Sequence, residues 1–123
     1  MWIKLLFNMD KSIREIINDY RTEILRGDLL VVRAATILTE LSALLGNVND
    51  RITETDMEYN QVLLDCFDNE KTANRAKIKA GVSKEYKDMK DARNTEKVAV
   101  EIIRGLKFYL RAKEEEFRSG RYQ

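Results

Sequence analysis

The sequence predicts an all-α protein: a helical bundle with a long antiparallel helical hairpin, coiled-coil-like and assembled as a homo-oligomer. Three observations predict it. Proline is absent and glycine occurs only five times in 123 residues, so few backbone breakers interrupt the chain. Charged residues make up 35%, a composition that suits long solvated helices better than a sandwich, barrel or disulfide scaffold. Apolar side chains also recur at three- and four-residue steps, the period of one helix face. The length predicts a single domain, 1–123, with a modest core.

Residues 1–11 form an N-terminal arm. Met1 to Asn8 (MWIKLLFN) is apolar with one lysine and has no helical period. It is either an ordered arm that buries Trp2 on a neighbour or an extension preceding a native start at Met9. Residues 12–46 hold two helices. The run Ser12-Ile13-Arg14-Glu15 matches a capping box, and Ile13, Ile16, Ile17, Tyr20 and Ile24 continue as one stripe. Gly27 ends that helix in the C′ position, and Asp28 caps the next. The second helix runs to about Leu45, with Leu30, Ala34, Ile37, Leu38, Leu41, Leu44 and Leu45 inward and Gly46-Asn47 as its stop.

Residues 49–118 make the long hairpin. Its first arm starts between Asn49 and Thr53 and runs unbroken to about Arg93, with Asp68–Lys71 and Gly81 as sites for a break or kink. Ile52, Tyr59, Cys66, Ala73 and Ala80 repeat every seven residues, beside Thr55, Val62, Asn69, Ala76 and Ser83. Bulky side chains fill 57–67 and small ones 73–83, which predicts close approach of a second helix along the alanines. Asn94 or Thr95 caps the fourth helix, and Ser119 to Gln123 fray.

That fourth helix has two faces. Ala99, Ile102, Ile103, Leu106, Tyr109, Leu110 and Phe117 form the packing stripe. Lys97, Arg104, Arg111 and Arg118 fall seven apart in a row on the opposite side, thickened by Lys107. Cations in a row can track a phosphate backbone, because each neutralised phosphate releases counterions. Arg75, Lys77, Lys79, Lys84 and Lys87 extend the set on the preceding segment, and Phe108 and Tyr109 offer faces for base stacking. The competing reading is a solvated face paired with Glu101, Glu114 and Glu115 at helical spacing.

Charge is distributed unevenly. Residues 1–69 hold 7 basic and 12 acidic side chains, a net of −5, and residues 70–123 hold 15 and 9, a net of +6. The basic half suits nucleic acid or another acidic partner; alternatively, the two parts attract each other within the fold or between subunits.

Several function classes are excluded. Without histidine and with Cys66 as the single cysteine, the chain offers no Ser-His-Asp triad, Cys-His pair, His/Cys zinc cluster or intramolecular disulfide. Asp50, Glu54, Asp56, Glu58, Asp65 and Asp68 do not share a face, so no carboxylate metal site is expected. Gly-rich phosphate loops are absent. A non-enzymatic protein without metal or cofactor is therefore expected. No continuous apolar run has the length of a membrane span, and no signal-peptide pattern opens the chain, which reads as soluble and cytoplasmic.

Glu40-Leu41-Ser42-Ala43-Leu44-Leu45-Gly46, Tyr59, Ala73-Asn74-Arg75-Ala76-Lys77-Ile78-Lys79-Ala80, Tyr86 and Ile102-Ile103-Arg104-Gly105-Leu106-Lys107 together resemble small helical proteins of tailed phages. Within that group the pattern is similar to the UvsY-type recombination mediators, over about residues 40–118. The resemblance implies a helical oligomer in the cytoplasm of a phage-infected bacterial cell, binding single-stranded DNA and helping a recombinase. None of that family's functional residues is carried over. The alternative expectation is a protein-interaction or assembly factor, an inhibitor or scaffold component, that acts through helix packing on another protein partner.

Overall fold

The structure, a computed structural model, describes residues 12–121. The expected arm at 1–11 lies outside the described residues, as do Tyr122 and Gln123. Among the described residues the protein is all-α, with four helices and no strand: α1 (Ile13–Leu25), α2 (Val31–Asn69), α3 (Ala73–Gly81) and α4 (Lys84–Arg121).

Local chemistry sets the ends of α1. The Ser12 hydroxyl oxygen accepts from the Glu15 amide at 3.2 Å, satisfying one of the donors that a helix start leaves open. At the other end Gly27 takes φ +83, where a Cβ is disfavoured, and its amide donates to the Ile24 carbonyl.

Helix α2 differs from expectation, since it passes through Gly46-Asn47 and continues to Asn69. Its 39 residues correspond to about 58 Å. Gly46 and Asn47 lie on the exposed side, while Leu41 and Val48, seven residues apart, are buried at 0% and 2% exposure. Glycine costs roughly 1 kcal/mol against alanine in a helix, and burying an aliphatic side chain returns about 1.5–3 kcal/mol. Burial on both sides of the glycine therefore outweighs its propensity.

The expected unbroken segment up to Arg93 is divided twice, at the two sites where the sequence carried breakers. Thr72 caps α3 by accepting from the Arg75 amide at 3.2 Å. After Gly81 the Ser83 hydroxyl donates to the Ala80 carbonyl at 2.6 Å and accepts from the Tyr86 amide at 3.2 Å, closing α3 and opening α4. Asn94 and Thr95 consequently cap nothing: α4 has begun ten residues earlier, and the Thr95 hydroxyl donates back to the Asp91 carbonyl as a mid-helix threonine does. Instead of fraying from Ser119, α4 stays helical through Arg121.

The described residues form two compact units, 12–45 with 97–121 and 46–96. In the first, Ala34, Ile37 and Leu106 are the centre, with Tyr20, Ile24, Leu29, Leu38, Ile102, Tyr109 and Leu110 packed around them. The predicted stripes of α1 and α4 thus meet that of α2, although Leu30 and Phe117 stay exposed. In the second, Cys66, Ala76 and Ala80 are buried against Tyr59, Val62 and Leu63. Ala73, expected in the same close contact, is exposed instead. Tyr59 and Tyr86 meet at 5.4 Å between ring centroids, and Arg93 donates to both oxygens of Asp56 at 2.9 and 3.1 Å.

Candidate nucleic-acid interface

The nine cations singled out from the sequence are all exposed, but they fall into two groups. Arg75, Lys77 and Lys79 on α3, with Lys84 in the first turn of α4, belong to the second unit. Lys97, Arg104, Lys107, Arg111 and Arg118 on α4 belong to the first.

Within the first group the partners differ. Arg104 pairs with Glu101 at 3.3 Å, and Arg118 with Glu114 at 2.8 Å and Glu115 at 3.7 Å. These are exposed pairs within one helix, worth about 0.3–0.5 kcal/mol each, so an incoming phosphate can displace them. Lys97, Lys107 and Arg111 have no carboxylate within 4 Å among the described residues. In the other group Lys79 is held by Glu70 at 3.2 Å.

The two aromatic neighbours separate in the fold. Tyr109 turns inward and its hydroxyl donates to the Leu29 carbonyl at 2.6 Å. Phe108 turns outward and remains 74% exposed. It follows Arg104 by four residues and precedes Arg111 by three, so it stands between two arginines on the same side of the helix. An exposed ring between cations is the arrangement that stacks an unpaired base while the cations hold the backbone on either side.

A feature that the sequence reading missed lies beside the row. The end of α1, the 27–30 connection and α4 border an open groove of about 1080 Å³, with Ile24, Leu25, Leu30, Ile102, Leu106 and Tyr109 among its walls. Lys97 stands at its edge, so the first member of the row borders the groove and is not wholly on the outer side. The signal was present in Leu25, Leu30, Val31 and Val32, large aliphatics around Gly27-Asp28 that the core leaves exposed.

Two polar contacts fasten α1 to α2. Arg33 donates to both carboxylate oxygens of Glu23 at 2.6 and 2.9 Å, and this hydrogen bonding holds its guanidinium even more firmly protonated. Tyr20 donates to Glu40, and its phenol is pushed well above its ordinary value, first by burial and then by the Glu40 hydrogen bond and charge. Both groups are anchors of the fold and neither is poised for acid–base work near neutral pH.

Helix α2 contains an 18-residue window of mean hydropathy 1.3, apolar enough by length and composition to cross a membrane. In the fold 22% of that window is buried, and Ala34, Ile37 and Leu41 of α2 are buried in the first unit. No cluster of three or more His, Cys, Asp or Glu side chains able to hold a metal occurs among the described residues. The chain matches no protein-family model, no curated protein and no solved structure.

Proposed function

We propose that this is a non-enzymatic accessory protein that binds single-stranded nucleic acid through the exposed side of α4. The observation that carries this reading is Phe108, 74% exposed between Arg104 and Arg111, with Lys97, Lys107 and Arg118 on the same helix. The cations supply salt-dependent affinity for phosphates, and the ring supplies a sequence-tolerant face for a base. Arg75, Lys77, Lys79 and Lys84 form a separate exposed basic group in the second unit. By its resemblance to UvsY-type proteins, the reading extends to a phage mediator in the cytoplasm of an infected bacterium, working beside a recombinase.

The scaffold of this reading is a homo-oligomer of coiled-coil-like helical hairpins. Its support within the second unit is the order of contacts, Tyr59 with Tyr86 and Asp56 with Arg93, which runs in opposite directions along the two helices.

The test is binding of a labelled oligonucleotide across a salt series. Five phosphate contacts correspond to a slope of log affinity against log salt of about 3.5, at roughly 0.7 per contact. Replacing Arg104 and Arg111 together with glutamine should weaken binding and lower the slope by about 1.4, with helicity unchanged. No affinity for any oligonucleotide near about 0.1 M salt, or an unchanged slope in the double variant, ends the proposal.

A second reading, a protein-interaction or assembly factor, is favoured by the apolar groove and its exposed leucines. If nucleic-acid binding fails, that surface becomes the functional one.

A further inference from the structure

We propose that the groove of the first unit is the docking site of this chain's own N-terminal segment, Met1 to Asn8, bound within the same molecule. The proposal goes beyond the nucleic-acid reading and does not depend on it. Ile24, Leu25, Leu30, Ile102 and Leu106 are among the groove's walls, and Leu25 and Leu30 remain 74% exposed. Packing among the described residues thus leaves an apolar concavity to water. Met1 to Asn8 (MWIKLLFN) lies outside the described residues and carries Trp2, Ile3, Leu5, Leu6 and Phe7. Apolar side chains at this density gain by leaving water, and the groove offers walls of the same chemistry.

Chain length selects this occupant. Ser12 has an extended backbone, φ −64 and ψ 154, so the axis of α1 does not continue back through it. On α1 the groove begins at Arg21, about 14 Å along the axis from Ser12, and passes Leu25 at about 20 Å. The segment before Ser12 spans up to roughly 36 Å when extended. Met9 to Lys11 cover about the first 10 Å of a return along α1, which leaves Trp2 to Phe7 the length to lie along the apolar walls. A segment tethered this near has a local concentration on the order of millimolar, which favours it over an untethered partner of equal affinity. Another protein that uses the groove must first displace it.

Trp2 is the only tryptophan, so its fluorescence reports the segment directly. In the full chain its emission should be blue-shifted from that of the denatured chain and shielded from acrylamide. Both properties should persist over about a hundredfold dilution, as an intramolecular contact does. Gly105→Glu sets a carboxylate in the groove wall, where a Cβ meets nothing within 4 Å and glutamate suits a helix better than glycine. That variant and Leu30→Glu should each return the Trp2 emission to the denatured position, with helicity unchanged. Ile78→Glu, at an exposed site in the second unit, should leave the emission where it is. Should one groove variant lose helicity, the other decides. Wild-type emission already at the denatured position overturns the proposal. So does a shielded Trp2 that neither groove variant releases, or that Ile78→Glu releases equally. A blue shift lost on dilution overturns docking within one molecule and assigns the segment to a second copy.

Discussion

The Tyr109 hydroxyl donates to the Leu29 carbonyl at 2.6 Å across 80 residues of sequence, tying α4 to the connection between α1 and α2. Its neighbour Phe108 faces solvent. Adjacent aromatics on one helix are thereby assigned opposite tasks, one to the fold and one to the surface. Tyr109→Phe should cost about 0.5–1.5 kcal/mol in denaturant unfolding, the value of a hydrogen bond whose acceptor is left without this donor. Phe108→Ala should change stability by less than about 0.5 kcal/mol. A larger loss for Phe108→Ala than for Tyr109→Phe would reverse the assignment.

Phe108→Ala also separates stacking from charge. It should weaken single-strand binding by about 1–3 kcal/mol while leaving the salt slope unchanged, because no phosphate contact is removed. Duplex binding, in which bases are already stacked, should be nearly unaffected. Equal losses for both forms would show that the ring does not stack on bases.

Two glycines, one inside α2 and one in the connection before it, should respond in opposite ways. Gly46 is exposed inside α2, and a Cβ built there meets nothing within 4 Å, so Gly46→Ala should raise stability by roughly 0.5–1 kcal/mol. Gly27 holds φ +83, so Gly27→Ala should destabilise by about 1–2 kcal/mol despite equal space. Thermal melts of the two variants should move in opposite directions. A fall in stability for Gly46→Ala would mean that α2 does not run straight through that position.

In the second unit Ala76 is fully buried beside Cys66 and Ala80. Leucine at this site overpacks the contact, and Ala76→Leu should cost about 1–3 kcal/mol. The same change at exposed Ala73 should be nearly silent, which makes the pair an internal control for side-chain size.

Alkaline pH probes the first unit through Tyr20. Burial, then the hydrogen bond to Glu40 and its charge, raise the Tyr20 phenol above the roughly 10 of an unfolded chain. The folded form holds this proton where the unfolded form releases it. The contribution is therefore complete below about pH 10 and is lost as pH rises above it toward the folded value. Tyr20→Phe should be less stable near neutrality, where the Glu40 bond is missing, and should lose less stability than wild type above about pH 10. Parallel pH profiles for the two proteins would remove Tyr20 from the alkaline transition.

The sequence by itself determined the all-α class, the start of α1 at Ser12, its end at Gly27 and most of the buried stripes. Those features depend on contacts within a turn or two, so residue type and spacing suffice to specify them. The nine cations were legible as exposed for the same reason, since charged side chains seldom stay inside. Tertiary structure decided the rest. Gly46-Asn47 failed to stop α2 because buried side chains on both sides outweigh one glycine, a comparison that local propensity does not contain. Asn94-Thr95 looked like a cap, yet Ser83 had already opened the helix. Period already set Tyr109 on the packing stripe and Phe108 off it, but the bond from the Tyr109 hydroxyl to the Leu29 carbonyl joins segments that only the fold brings together. The groove is the clearest case: its walls come from residues separated by some eighty positions, and a hollow between distant segments exists only once their helices have packed.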